Sequence, residues 1–132
     1  MTNFFVNTIV FVKDIEISKD FYSNLLGINI LQDYGTIVFL ENHLVLHIAN
    51  SIIKTIFKKN KLSASQKQGK RNILLYFETN ELNEFYDKIS KRVQIIHGIE
   101  KQAWGQKVFR FYDPDKHIIE FGEPFRIEKL KK

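Results

Sequence analysis

The chain has no cysteine. Disulfides, thiolate nucleophiles and zinc–thiolate sites are therefore excluded, and a reducing compartment is expected. Long apolar runs are missing too, since none reaches the ~18 residues that a membrane span needs. The opening MTNFFVNTIVFVKD lacks the basic start and the small-residue cleavage site of a secretory leader. A cytoplasmic location is the expectation. The composition is 44% hydrophobic and 27% charged over 132 residues. That excludes low-complexity, collagen-like and mucin-like chains and suits one globular domain.

Acidic residues are absent from one stretch. Residues 51–71 hold seven basic side chains and no carboxylate. The net charge is +5 overall and +7 within this stretch, so the other 111 residues sum to −2. The stretch reads as a basic connector, and NKLSASQKQG at 60–69 has the polar, small-residue composition of a loop. Polyanion binding by this segment is an alternative, although no nucleic-acid motif accompanies it. Residues 124–132 form a short basic tail.

Aromatic residues are plentiful at 14%, and twelve of them are Phe. They fall into a pattern that occurs twice. A β-branched and aromatic run at 4–12 predicts a strand. Asp14, or Ser18, can cap a following helix in which Ile17, Phe21 and Leu25 recur at helical spacing. Gly27 supplies the stop. Strands at 28–33, 36–40 and 43–49 follow, with turns at Tyr34-Gly35 and Glu41-Asn42. After the connector come a strand at 72–78, a helix at 81–92 and strands at 93–97, 107–112 and 116–121. The order is βαβββ both times, and the helices correspond in sequence: Asp20-Phe21-Tyr22-Ser23 against Glu84-Phe85-Tyr86-Asp87. Such self-similarity indicates a duplicated module. The expected organisation is a single domain over 1–132, with modules at 1–50 and 72–123, the connector at 51–71 and the tail at 124–132.

Two stretches carry a resemblance. The first runs from Val12-Lys13-Asp14 through Phe21-Tyr22 to Leu26-Gly27-Ile28. The second is Trp104-Gly105-Gln106 followed by Arg110-Phe111-Tyr112-Asp113-Pro114-Asp115 and Ile118-Ile119-Glu120-Phe121. Together with the repeated order, they resemble the vicinal oxygen chelate superfamily of glyoxalase I, extradiol dioxygenases and bleomycin-resistance proteins. Lys116 departs from that pattern, which usually has Gly after Asp-Pro-Asp, so a different turn is expected there. The resemblance implies an α+β fold of two tandem βαβββ modules, curling a mixed sheet around a shared cavity, and a homodimer. It also implies that metal-dependent members draw ligands from the first and last strands of each module. Those positions here are Asn7, His47, Asn72 and Glu120.

Strand alternation turns Asn7, His47, Asn72 and Glu120 away from the apolar faces that suit helix packing. Tyr76, Arg110 and Tyr112 fall on the same side, and Trp104 lies in an adjacent loop. His47, Arg110, Tyr112, Trp104 and Tyr76 are the candidate ligand contacts, and Glu120 is the candidate general base. Two of the four metal positions are Asn, a weak neutral donor, so no cofactor beyond a weakly held divalent metal is expected. The leading reading is a small organic ligand bound between the modules. A metal-dependent lyase, isomerase or dioxygenase-like enzyme using His47 and Glu120 is the alternative. The structural counterpart is an ion pair of Glu120 with His47 or Arg110.

Overall fold

A computed structural model describes residues 2–58 and 68–126. Lys59, Lys61 and Lys67 of the connector, and tail residues 127–132, lie outside the described residues. No helix among the described residues is long and apolar enough to cross a membrane. The chain divides into two units, Met1–Gln68 and Gly69–Lys132.

The first unit holds strands β1 (Thr8–Val12), β2 (Ile30–Asp33), β3 (Ile37–Leu40) and β4 (Leu44–Ile48). They form a mixed sheet in the order β1-β4-β3-β2, with β1 parallel to β4 and the other pairs antiparallel. Between β1 and β2 runs helix α1 (Ile15–Lys19), which widens into a π-wound segment over Asp20–Leu25. Asp14 begins α1 by accepting the Glu16 and Ile17 amides at 3.0 and 3.1 Å. Ser18 is not a cap. It lies inside the helix, where its amide donates to the Asp14 carbonyl. The wider winding shows in the bond from the Leu26 amide to the Phe21 carbonyl, and Gly27 ends the segment at φ +78°. Ile15, Phe21, Tyr22 and Leu25 are buried, as are Val10, Val12, Val38, Leu40 and Leu46 of the sheet.

A further helix, α2 (Ala49–Phe57), follows β4 directly. The charge pattern assigned its last seven residues to the connector. Ala49 and Ile53 pack with Phe11, on the sheet face opposite Val10 and Val12. That face was expected to meet ligand, and in this module α2 covers part of it.

The second unit repeats the plan. Its strands are β5 (Leu74–Glu78), β6 (Gln94–Lys101), β7 (Lys107–Tyr112) and β8 (Ile118–Gly122), in the order β5-β8-β7-β6. Strand β5 is parallel to β8, and the others are antiparallel. Helix α3 (Leu82–Ile89) covers one face. There Phe85 and Tyr86 meet Phe109 and Phe121, with ring centroids 4.5–6.3 Å apart. Phe77 stacks on Phe121 at 4.9 Å, which extends the aromatic layer to the sheet edge. Each unit is thus a βαβββ-type module with an open four-stranded sheet, as the repeated sequence pattern predicts.

The Lys116 turn does not take a different form. Lys116 itself adopts φ +70°, the left-handed conformation that Gly would supply at least cost. Its ammonium lies 4.7 Å from the Tyr112 ring centroid and donates to Gln94 Oε1. Asp113 ties the turn from within: its Oδ1 accepts the Asp115 and His117 amides, each at 2.8 Å.

Candidate functional site

Strand register builds the site. Facing α3 are the apolar side chains Phe77, Phe109, Phe111, Ile119 and Phe121. The other face of the sheet carries three cross-strand rows. One is Leu74, Ile118, Tyr112 and Gln94. The next is Tyr76, Glu120, Arg110 and His97. The third is Glu78, Gly122, Val108 and Glu100. Directly opposed residues share a face and lie roughly 4.5–5.5 Å apart at Cβ. The middle row is therefore a continuous line of polar groups across all four strands.

Arg110 is the centre of that line. Its Nε donates to Glu120 Oε1 at 2.6 Å, its Nη1 to His97 Nε2 at 2.9 Å, and its Nη2 to Gln102 Oε1 at 3.1 Å. Glu120 is 6% exposed. A carboxylate so buried needs a partner, and Arg110 supplies one. Of the two partners proposed from sequence, the pair forms with Arg110. Three of the five guanidinium hydrogens are used, leaving two without a partner among the described residues. Glu120 Oε2 likewise accepts no hydrogen bond among the described residues.

Sequence reasoning did not single out His97. The row reaches it only because β6 is irregular. Eight residues of β6 face six of β7, and the register slips between Ile95 and His97 and again between His97 and Glu100. Each slip is a bulge with one extra residue on β6. In a regular strand His97 would share the face of Ile95, which opposes Phe111 under α3. The first bulge turns it toward Arg110. Period-two alternation cannot show this, and the sequence signal that comes nearest is Gly98. A Cβ there would come within 3.1 Å of the Tyr86 hydroxyl.

Gln106 holds the aromatic side of the site. It is buried, and its Nε2 donates to the Tyr76 hydroxyl and to the Glu123 carbonyl, both at 2.7 Å. Its Oε1 accepts the Trp104 indole N–H at 2.9 Å. Tyr76 in turn donates to Glu78 Oε2 at 2.5 Å. Burial, then the bond to Glu78, pushes the Tyr76 phenol up to about 12. The two aromatic side chains remain about half exposed but are fixed at their polar ends. Gly122 leaves room for this arrangement, because a Cβ there would lie 2.5 Å from Gln106 Nε2.

The four expected metal positions are divided between the units, Asn7 and His47 in the first and Asn72 and Glu120 in the second. In the first module the row neighbours of His47 are Phe11 and Ile37, and its Nδ1 lies 3.2 Å from the Ile48 carbonyl. Asn7 precedes the first paired residue of β1. In the second module Tyr76, not Asn72, stands opposite Glu120, and Asn72 is an exposed residue ahead of β5. No group of three or more His, Asp or Glu side chains able to hold a metal occurs among the described residues. The donor chemistry points the same way. Glu120 is already paired with a fixed cation, and a divalent ion beside it would face the guanidinium. Two unit charges 4 Å apart near a protein surface interact by about 4 kcal/mol, and a divalent ion doubles that.

A family model described as a glyoxalase-like domain matches residues 5–126. No curated protein matches the chain. Among solved structures, a protein of unknown function from Agrobacterium tumefaciens str. C58 is 44% identical, with a TM-score of 0.88. The alignment covers 95% of this chain and 97% of that one. A glyoxalase/bleomycin resistance protein/dioxygenase from Nocardioides is 16% identical, with a TM-score of 0.71 and coverage of 96% and 91%. A lactoylglutathione lyase from Agrobacterium tumefaciens is 18% identical, with a TM-score of 0.67 and coverage of 93% and 95%. The latter two likenesses concern the fold alone.

Proposed function

The chain belongs to the glyoxalase-like domain family of the vicinal oxygen chelate superfamily, and from that premise we propose that it binds a small organic ligand without a tightly held transition metal. The observation that supports this is the Arg110–Glu120 pair at 2.6 Å, set in the middle of a polar row on the face away from α3. The pair is neutral as a whole and divided in chemistry. Arg110 offers two hydrogens to a carbonyl or carboxylate oxygen, and Glu120 Oε2 offers an acceptor to a neighbouring hydroxyl. A ligand with adjacent oxygen functions matches both. Leu74, Ile118 and Tyr112 form the row on one side, while Tyr76 lies in the same row as the pair, tied through Gln106 to Trp104. Glu120 Oε2 is the group we assign to any proton transfer, because it is the carboxylate oxygen left free beside the bound oxygens.

The test is a thermal-shift screen of small hydroxy and keto carboxylates, run beside metal analysis of protein purified without chelator. Ligands that raise Tm for the wild type should lose at least nine-tenths of their affinity with Arg110→Ala. A full equivalent of a transition metal, lost on His47→Ala, would instead establish the metal-dependent alternative.

We place the protein in the cytoplasm and take its partner to be a second copy of the chain. Phe4 and Phe5, just ahead of edge strand β1, are 80% and 82% exposed, and exposed aromatics in that setting suit an interface. Light scattering on wild type and Phe5→Ser checks this, with a shift from dimer to monomer expected.

A further inference from the structure

We propose that His97 is a proton-controlled latch on Arg110. Hydrogen-bond chemistry fixes its state. A guanidinium can only donate, so His97 Nε2, 2.9 Å from Arg110 Nη1, carries a lone pair. A carbonyl can only accept, so Nδ1, 2.7 Å from the Gly98 oxygen, carries the hydrogen. His97 is therefore neutral and in a single tautomer, and it holds Arg110 from the side opposite Glu120.

A proton added at Nε2 would point at the guanidinium. Two donors cannot share a hydrogen bond, and two cations would then stand in contact. The bond opens and Nη1 is released. A partner for the new charge is already in place: Glu100 Oε2 lies 3.6 Å from His97 Nδ1. The charged groups that face His97 are Arg110 on β7, Glu120 behind it on β8, and Glu100 on its own strand. From α3, across the sheet, the Tyr86 hydroxyl approaches at Gly98.

The backbone supports a dedicated role. Two bulges flank this one residue: the first turns His97 to the Arg110 side, and the second shifts the pairing by a further residue before Glu100. Opening the latch gives Arg110 a third free hydrogen. A ligand oxygen that binds there favours protonated His97, and by linkage protonation favours that ligand equally. His97 is thus a positioning residue that sets how much of Arg110 is available. The latch itself needs no ligand, so it is tested separately from ligand binding.

The experiment is a titration of the intact protein from pH 8 to 5, read by heteronuclear NMR of the imidazole nitrogens and the Arg110 Nε–H. At pH 8 His97 should show a hydrogen on Nδ1 and none on Nε2. On acidification the His97 and Arg110 signals should move with one common midpoint. His97→Gln keeps a neutral acceptor and should abolish the Arg110 inflection, with His97→Asn as a second variant should the first not fold. A hydrogen on Nε2 at pH 8, an Arg110 signal indifferent to His97 titration, or an inflection that persists in the Gln or Asn variant would each overturn the proposal.

Discussion

Single side chains decide most of what this site can do, and three of them make direct predictions. Tyr76 binds its proton more tightly in the folded chain than in the unfolded one, since its phenol is pushed up to about 12 from an ordinary value of 10. Its contribution is therefore fully present below pH 10 and is lost as pH rises from 10 toward 12. Ultraviolet titration should show a late phenolate step in the wild type that is missing in Tyr76→Phe. Gly122→Ala would drive a methyl into Gln106 and should cost roughly 1–3 kcal/mol. It should also shift the emission of Trp104, the only tryptophan, because Gln106 holds its indole. Ser18 makes the opposite case. It is 1% exposed and its Oγ has no partner among the described residues. Ser18→Ala should therefore raise stability by about 1 kcal/mol, measured by urea unfolding.

Secondary elements show what sequence can and cannot reveal. The start of α1 was legible because Asp14 has the right chemistry at the right place. Asp14→Ala should cost about 1 kcal/mol, seen as a drop of roughly 3–6 °C in Tm. The faces of β7 and β8 were legible as well, since strict alternation placed Arg110, Tyr112, Ile118 and Glu120 together. Alternation fails wherever one residue is added to a strand. It could not bring His97 to Arg110, because nothing local in QIIHGIEK marks two bulges. Register also depends on where pairing begins. Asn7 and Asn72 were read as strand residues, yet β1 and β5 start later, and Phe11 and Tyr76 take the rows beside His47 and Glu120. Helix α2 was hidden for another reason. Its first residues continue an apolar strand pattern and its last ones merge into a run of lysines, so no period stands out. The Lys116 turn was misjudged on propensity alone. A cation–π contact and the Asp113 bonds hold a backbone conformation that lysine seldom chooses.

At the scale of the whole chain, the duplication is clear in topology and unequal in chemistry. Both modules have the same strand order, but the polar row belongs to the second. The corresponding face of the first carries Phe11, Ile37 and half-buried His47, with α2 laid over part of it. The proposed metal-free ligand site carries its own prediction. Dialysis against EDTA should leave Tm unchanged to within about 1 °C, whereas loss of a structural metal would lower it markedly. Gly69 carries a different consequence. Its amide donates to the Asp115 carbonyl at 2.8 Å, and any side chain there would strike the Lys116 backbone. Three residues of seemingly dispensable linker thus belong to the second module. For cutting or fusing the chain, the practical seam lies before Gly69, and a fragment begun at Asn72 would discard the clasp on its Asp-Pro-Asp turn.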